Sequence, residues 1–236
     1  MNPTPPDLVT DELSVLSELV TLSDQKIIEL GCGSARLARA LVERYPGTHV
    51  TGLETDQCQH AKNLAAPQEQ LKFLLAGAQA IPFPEASFDL VLMLKSLHHV
   101  PIPWMAQAIG EVGRVLRQGG HFYVSEPVYH GPLNEIIRLF NDEGEVRRAA
   151  QAAVDEAMGS KYWVQVAQRW FDMPVRFRDF EDFEQRMMRS TFANHRADDE
   201  MLSAVRERFA PHCGADGAYF TRPMHVRLLR RQAHST

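Results

Sequence analysis

The stretch Lys26-Ile27-Ile28-Glu29-Leu30-Gly31-Cys32-Gly33-Ser34-Ala35-Arg36 decides the fold class. A short apolar run that ends at closely spaced glycines is typical of a buried strand followed by a tight turn. Residues 35–45 then return to helical spacing, and Pro46-Gly47 ends that helix. Strand, tight turn and helix together predict the first half of a βαβ unit.

The same alternation continues to Pro127. Short apolar runs predict further strands, and periodic segments between them predict helices. The predicted strands are 49–54, 71–75, 88–94 and 121–125, and the predicted helices are 7–22, 56–65 and 102–116. We expect the helix at 102–116 to bury Trp104, Ala108, Ile109, Val112 and Leu116. Alternating strands and helices predict an α/β fold with a parallel sheet.

The pattern changes after Pro127. Residues 132–170 carry helical spacing throughout, which predicts a helical insertion or lid after strand five. On this interpretation Trp163 and Trp170 share one helical face and form either a substrate wall or, more commonly, core packing. Further elements are predicted as a strand near 185–192, a helix near 199–209, the Gly214–Gly217 turn and a last strand at 224–229.

One domain over residues 1–236 is the expected organisation. It comprises a cofactor-binding half at about 24–127, the insertion at about 131–171 and a C-terminal part at about 172–236.

Composition and charge limit the class of function. The chain is 44% hydrophobic and 23% charged, as expected for a soluble globular protein. A net charge of −5 argues against a nucleic-acid partner. Two basic clusters, Arg147-Arg148 and Arg227–Arg231, are interpreted as solvated faces.

Cysteine usage and hydropathy indicate the compartment. The three cysteines have no spacing typical of a disulfide framework or a zinc site, and no metal is expected. No stretch approaches the roughly 18 apolar residues of a membrane span, and no signal peptide is apparent. We therefore expect a cytoplasmic protein without a membrane partner; monomer and homodimer both remain open.

Two features point to a nucleoside-containing ligand. Gly31 and Gly33 let the backbone pass close to a ligand, although Arg36 stands where a dinucleotide fingerprint has its third glycine. Glu54 ends strand two, where a carboxylate can bind ribose hydroxyls or, alternatively, favour the next helix N-terminus. In the second case Thr55 or Asp56 is the better cap. These features alone do not separate a nicotinamide cofactor from S-adenosylmethionine.

The order of motifs from Ile27 to Pro127 resembles the class I S-adenosylmethionine-dependent methyltransferases of the UbiE/small-molecule type. The matching segments are IIELGCGSARLARAL (27–41), VTGLETD (50–56), AGAQAIPFPEASFDLV (76–91), LHHV (97–100) and EVGRVLRQGGHFYVSEP (111–127). The resemblance implies a Rossmann-like, doubly wound, mainly parallel seven-stranded sheet with an antiparallel last strand. It also implies S-adenosyl-L-methionine as cofactor and S-adenosyl-L-homocysteine as product.

The resemblance assigns cofactor roles by position. Glu29 would hold the amino group, Gly31 and Gly33 would pass beneath the methionine part, and Glu54 would bind the ribose. The complete implied set is Glu29, Gly31, Gly33, Glu54, Thr55, Ala78, Gln79, Leu94 and Lys95.

Three positions depart from the family pattern. Many relatives carry an aspartate at the position of Gly77, where Gln79 or the backbone would have to replace it. Ala35 stands in place of a third glycine. Lys95 would lie beside a sulfonium cation, so its side chain must either point away or meet an anion.

Catalytic residues are not fixed by the sequence. His98 and His99 follow strand four and could act as a general base, although a pocket-lining role is favoured. Glu126, Tyr129 and His130 follow strand five and face the same edge, where Tyr129 or His130 could touch the acceptor or simply pack in a loop. Arg196 and Arg222 could clamp a carboxylate or phosphate, though surface ion pairs are commoner.

The favoured function is methyl transfer to a small molecule. The alternatives are a tRNA- or protein-modifying methyltransferase, a non-catalytic S-adenosylmethionine-binding protein and a nicotinamide-dependent oxidoreductase. The net charge argues against the first alternative, and the missing third glycine argues against the last.

Overall fold

The computed structural model of the chain describes residues 7–189 and 199–232. These residues form two compact units. The larger unit contains residues 11–126, 149–169 and 226–232, and the smaller unit contains 7–10, 127–148, 170–189 and 199–225.

Nine strands are described. They are β1 (Asp7–Leu8), β2 (Lys26–Leu30), β3 (His49–Glu54), β4 (Leu71–Leu75), β5 (Phe88–Leu94), β6 (Leu116–Pro127), β7 (Trp163–Phe177), β8 (Cys213–Gly214) and β9 (Gly217–Arg231).

The α-helices in the described part of the chain are α1 (Glu12–Leu19), α2 (Arg36–Arg44), α3 (Gln57–Leu64), α4 (Ile102–Val115), α5 (Pro132–Ile137), α6 (Gly144–Met158), α7 (Phe180–Phe183) and α8 (Asp199–Phe209). Short 3-10 turns at Leu97–His99 and Ala210–His212 and a π-helical turn at Glu184–Met188 complete the set.

In the larger unit the strands lie in the order β7-β9-β6-β5-β2-β3-β4. The pairs β2–β3, β2–β5, β3–β4 and β5–β6 are parallel. This arrangement confirms the predicted α/β class, with β1 and β8 as short additions to the seven expected strands. The predicted strands at 49–54, 71–75 and 88–94 match β3, β4 and β5 residue for residue.

The core of the larger unit follows from the apolar strands. Residues from β5, such as Val91 and Met93, pack with Ile109 and Val112 of α4 and with Trp163. Because β5 is covered on both faces, its sequence is almost uninterruptedly apolar rather than alternating.

The smaller unit has its own core and its own strand pairs. In it, β1 pairs in parallel with the second part of β7, and β8 and β9 form an antiparallel hairpin around the predicted Gly214–Gly217 turn. Helices α5 and α8 contribute Ile136 and Phe209 to an aromatic-rich cluster that includes Phe177 and Phe183.

The prediction of helix throughout 132–170 was wrong beyond Met158. Residues Trp163–Phe177 form the long strand β7, so Trp163 and Trp170 do not share a helical face. Trp163 is buried with its ring 5.9 Å from that of Phe122, whereas Trp170 is exposed and stacks 3.8 Å from His225.

Smaller corrections concern helix ends and exposure. The first helix spans only Glu12–Leu19, and Trp104 is 48% exposed rather than buried. The part of 185–192 that is described is a helical turn and not a strand. Helix α8 confirms the prediction near 199–209.

The basic clusters are only partly solvated. Arg147 and Arg227 are buried, which corrects their interpretation as surface residues. Arg227 donates to Asp155 and, at 2.8 Å, to Gln151 Oε1. Among the described residues, no helix combines the length and hydropathy that crossing a bilayer requires.

Candidate cofactor site

The carboxyl ends of β2, β3 and β5 carry most of the predicted cofactor residues. These strands are neighbours and run parallel, so their carboxyl ends meet at one edge of the sheet. In open α/β sheets this edge, where the strand order reverses, is where ligands bind.

The turn after β2 depends on glycine at two positions. Gly31 has φ 72°, and a Cβ there would lie 2.8 Å from Ser96 Cβ, so a larger residue would clash. Gly33 has φ 52°, and no protein atom lies within 4 Å of the Cβ it lacks. The turn therefore offers an open backbone surface that a ligand can approach closely.

Ala35 also adopts a left-handed conformation, with φ 57° and ψ 29°. It stands where relatives carry glycine, and its backbone retains the conformation that glycine favours. A non-glycine residue in this region is strained by roughly 1–2 kcal/mol.

Glu54 organises the turn from the neighbouring strand. Its Oε2 accepts a hydrogen bond from the Gly33 amide at 2.7 Å, and its Oε1 accepts from the amides of Thr55 at 2.8 Å and Asp56 at 2.9 Å. A carboxylate has about four acceptor positions, so one remains for a ribose hydroxyl. Asp56 caps α3 by accepting from Cys58 and Gln59, as the sequence suggested.

Glu29 is a buried carboxyl group close to the same turn. Its Oε2 has no hydrogen-bond partner among the described residues. Burial raises the pKa of Glu29 to about 8, against the smaller lowering effects of the Ala38 amide and Lys95. A buried acceptor of this kind fits a cationic group such as the amino group of S-adenosylmethionine.

Lys95 points toward an anion of the protein. Its Nζ donates to Oε2 of buried Glu12 at 2.9 Å, and Tyr123 donates its hydroxyl to Glu12 Oε1 at 3.3 Å. The backbone of Lys95 has φ 57° and donates its amide to Ser125 O at 2.7 Å. Glu12 is therefore the anion that the positive charge of Lys95 meets, which the sequence alone did not identify.

The loop after β4 accommodates Gly77 through Gln79. A Cβ at Gly77 would lie 2.5 Å from Gln79 Oε1, so the Gln79 amide occupies the space of the aspartate found in relatives. The backbone carbonyl of Gln79 accepts from Gln107 Nε2 at 2.8 Å. Ala78 is buried in the core, and Leu94 ends β5 partly exposed.

His98 is held by Glu126. The two buried side chains share a short contact between His98 Nδ1 and Glu126 Oε2, and Glu126 Oε1 accepts from the Leu97 amide at 2.8 Å. His99 is exposed, with its ring 4.1 Å from that of His98. The structure thus distinguishes two histidines that the sequence left equivalent.

Tyr129 belongs to the smaller unit and has a structural partner. Its hydroxyl donates to Asp142 Oδ1 at 2.6 Å, and this hydrogen bond raises the pKa of Tyr129. The same Asp142 oxygen accepts from the Gly144 amide at 3.0 Å, where α6 begins. His130 is exposed. Arg196 lies outside the described residues.

Sequence reasoning missed Glu12 and the partnership of Glu126 with His98. Glu12 lies 83 residues before Lys95, and nothing local to α1 indicates the contact. Glu126 was named only as a residue at the strand edge. Its apolar surroundings in β6 were the available signal, because a carboxylate buried in a strand requires a partner.

Comparison with known families agrees with this geometry. Residues 28–124 match the family profile described as "Methyltransferase domain". The chain is 30% identical over 122 residues to the 27-O-demethylrifamycin SV methyltransferase of Amycolatopsis mediterranei, covering 50% of this chain and 43% of that protein. It is 35% identical over 128 residues to the sterol 24-C-methyltransferase ERG6B of Gibberella zeae, covering 52% and 31%.

The matching part therefore spans less than half the length of these curated relatives. Similarity of fold extends further. The YcgJ protein of Bacillus subtilis superposes with a TM-score of 0.65 at 17% identity, covering 94% of this chain and 98% of that one.

These findings locate the resemblance in one segment: residues 28–124 match the methyltransferase domain family, and the curated relatives that match this part of the chain are named methyltransferases. The cofactor of this family is S-adenosylmethionine. The open surface at Gly33 and the unpartnered Glu29 oxygen fit such a group.

Proposed function

We propose that this chain transfers the methyl group of S-adenosylmethionine to a small-molecule acceptor. Two buried carboxyl groups carry the proposal: Glu54, which accepts from the amide of the open turn at Gly33, and Glu29 of β2, which leads into that turn. Glu54 would bind the ribose through its remaining acceptor position, and Glu29 would bind the amino group. Thr55, Ala78, Gln79 and Leu94 complete the proposed cofactor-binding set with Gly31 and Lys95.

When bound, S-adenosylmethionine supplies a methyl group on a positively charged sulfur, which is displaced in line by the acceptor. The protein mainly has to hold the acceptor and the methyl group in line and exclude water. The end of β5 and the turn after it, residues Leu94 to His98, lie at the same edge of the sheet as the cofactor turn.

Lys95 keeps this edge compatible with a sulfonium cation through its ion pair. Because Nζ is bound to Glu12, the pair as a whole carries no net charge. A cationic ligand nearby is therefore repelled less strongly by the ion pair than it would be by an unpaired ammonium group.

His98 has the arrangement expected of a general base. Glu126 engages Nδ1, which fixes the ring orientation and favours the tautomer with a lone pair on Nε2. Such a lone pair can accept a proton from a hydroxyl acceptor, whereas a carbon or thiolate acceptor would not require it in the same way.

A small-molecule acceptor is supported by charge and by the relatives. The net charge of −5 gives no electrostatic attraction for nucleic acid. The two relatives carry names of small-molecule methyltransferases, one specifying an oxygen and the other a carbon position.

The cofactor is tested by calorimetric titration with S-adenosylmethionine, S-adenosylhomocysteine and, as a control ligand, NADH. Glu54→Gln keeps the side-chain volume but loses acceptor capacity, and should weaken binding of both adenosyl ligands at least tenfold. Glu54→Ala is less informative, because it also removes the acceptor of three backbone amides. Glu69→Gln, at an exposed position, is the matched control.

The acceptor class is tested with radiolabelled S-adenosylmethionine and a cell extract separated into small molecules, RNA and protein. Label in the small-molecule fraction supports the proposal. Label in RNA or protein alone, or no binding of either adenosyl ligand by folded protein, would contradict it.

A further inference from the structure

In the described part of the smaller unit, Arg222 has no ion-pair partner. Arg222 lies on β9 and is partly buried, and among the described residues its guanidinium has no hydrogen bond or ion pair. Burial and the nearby charge of Arg147 lower the pKa of Arg222, while Glu143 acts in the opposite direction. A positive charge in such surroundings is costly unless something compensates it.

The neighbouring arginines already have partners. Arg147 donates to Glu143 Oε2 at 2.6 Å, and Arg186 donates to Asp182 Oδ2 at 3.1 Å. Among the described residues these ion pairs engage the nearby carboxylates, so Arg222 has no ion-pair partner of its own and Glu143 compensates its charge only in part.

Asn134 supplies a second unsatisfied donor. This α5 side chain is 7% exposed, and its Oδ1 accepts from Arg147 Nη1 at 3.1 Å. Its Nδ2 is buried and has no partner among the described residues. Buried amide groups are ordinarily satisfied, so an unused donor beside a buried arginine indicates a missing acceptor.

The fold brings these donors to one region of the smaller unit. Phe220 of β9 packs in the same cluster as Leu133 of α5. Arg222 is two residues beyond Phe220, and side chains two apart in a strand share a face. Asn134 directly follows Leu133, and Arg147 is hydrogen-bonded to Asn134.

We propose that Arg222 and Asn134, beside the Arg147–Glu143 ion pair, form a binding site for an oxyanion group, a carboxylate or a phosphate, carried by a small molecule. The guanidinium fork of Arg222 matches two oxygens of such a group, and Asn134 Nδ2 provides a further donor. The site lies within the smaller unit and goes beyond the methyl-transfer function, because its occupancy does not require S-adenosylmethionine.

The site is tested by thermal unfolding of the full chain with inorganic phosphate, with acetate, and with sodium chloride at equal ionic strength. At ten times its Kd, a ligand that binds only the folded state should raise Tm by about 3–5 °C. A response to phosphate alone identifies a phosphate site, and a response to acetate alone identifies a carboxylate site. A rise no larger than that with sodium chloride, for both anions, would overturn the proposal.

Arg222→Met separates a binding arginine from a structural one. Because Arg222 has no ion-pair partner among the described residues, removal of its charge should leave the Tm of the ligand-free protein unchanged or higher and abolish the anion response. Arg148→Met, at the exposed neighbour of Arg147, removes the same charge and should retain the response. Equal responses in wild type and Arg222→Met would contradict the assignment.

Asn134→Asp gives a test that does not depend on choosing the anion. The aspartate is nearly isosteric and places a carboxylate beside Arg147, where the proposed ligand would supply one. We expect a Tm a few degrees above wild type and no further response to phosphate or acetate. A lower Tm would show that a negative charge at this position is destabilising, which would contradict an anion site there.

Discussion

The ammonium group of Lys95 lies 2.9 Å from Oε2 of Glu12, a carboxylate that is 6% exposed and also accepts a hydrogen bond from Tyr123. This ion pair joins α1 to the end of β5, at the edge of the sheet where the cofactor turn lies. It accounts for a buried acid in an otherwise apolar helix face and for a lysine within the proposed cofactor site.

Removal of Lys95 should destabilise the protein. Lys95→Met would leave Glu12 ionised and buried without its counterion, at a cost of about 3 kcal/mol in the free energy of unfolding. Lys62→Met, on the exposed side of α3, should change it by less than about 0.5 kcal/mol. Urea unfolding measures both, and a loss under about 1 kcal/mol for Lys95→Met would show that the pair is not needed for stability.

Neutralising Glu12 should instead change the affinity for the cofactor in a way that depends on the charge of the ligand. In Glu12→Gln the side chain still accepts from Tyr123, but Lys95 loses the negative charge of its Glu12 partner. S-adenosylmethionine carries a sulfonium cation and S-adenosylhomocysteine a neutral thioether. We expect the affinity for the former to fall roughly fivefold to tenfold, with that for the latter little changed. Parallel calorimetric titrations measure the ratio, and equal losses for both ligands would argue against an electrostatic effect.

The raised pKa of Glu29 makes cofactor binding dependent on pH. Its pKa in the free protein is about 8, so the carboxyl group is mostly protonated at pH 7. A bound ammonium group favours the ionised form, and binding then releases a proton. The affinity for S-adenosylmethionine should therefore rise by up to about tenfold per pH unit between pH 6 and 7.5.

Glu29→Gln provides the control for this effect. The variant should bind more weakly and lose most of the pH dependence. In the wild-type protein the free energy of unfolding should fall with pH, whereas cofactor affinity rises. The reason is that a carboxyl group whose pKa is higher in the folded than in the unfolded state stabilises the fold less as pH rises from about 4.5 to about 8. A wild-type affinity independent of pH would mean that Glu29 does not meet the amino group.

The structure shows how much of the fold the sequence could predict. Strands β2 to β5 were predicted with their bounds, because buried parallel strands are short apolar runs that end in glycine or polar turns. Strand β7 was missed, because Trp163, Val166 and Trp170 imitate helical spacing. Pro174 and the excess of valine and aromatic residues were the better signals, since they favour a strand and oppose a helix interior.

For the candidate site, the sequence indicated which residues lie at strand ends but not which side chains those residues contact. The residues at the ends of β2 and β3 could be predicted, since parallel strands bring their carboxyl ends together. The contacts of Lys95 with Glu12 and of His98 with Glu126 join segments that lie 83 and 28 residues apart. Such pairs depend on the packing of α1 and β6 against β5, which a single sequence does not specify.

The two histidines after β5 should differ in their effect on catalysis. His98→Gln should lower the rate of transfer to a hydroxyl acceptor about 10²-fold or more, as expected for loss of a general base, without changing cofactor affinity. His99→Gln, at the exposed neighbour, should stay within about threefold of wild type, a difference under about 1 kcal/mol. Single-turnover assays with the acceptor found in the labelling experiment distinguish them. Equal effects would assign both to the pocket wall.

In the loop after β4, Gly77 and the side chain of Gln79 compete for the same space. A Cβ at position 77 would lie 2.5 Å from Gln79 Oε1, so Gly77→Asp restores the family residue only by displacing the Gln79 side chain. We expect Gly77→Asp alone to bind S-adenosylhomocysteine no better than wild type. Gln79→Ala alone should weaken binding severalfold, because it removes a polar group without a replacement. The double variant Gly77→Asp/Gln79→Ala should bind at least as tightly as wild type, since the aspartate then occupies the vacated space. A double-mutant cycle measured by calorimetry tests this, and strictly additive effects would show that the two side chains do not substitute for each other.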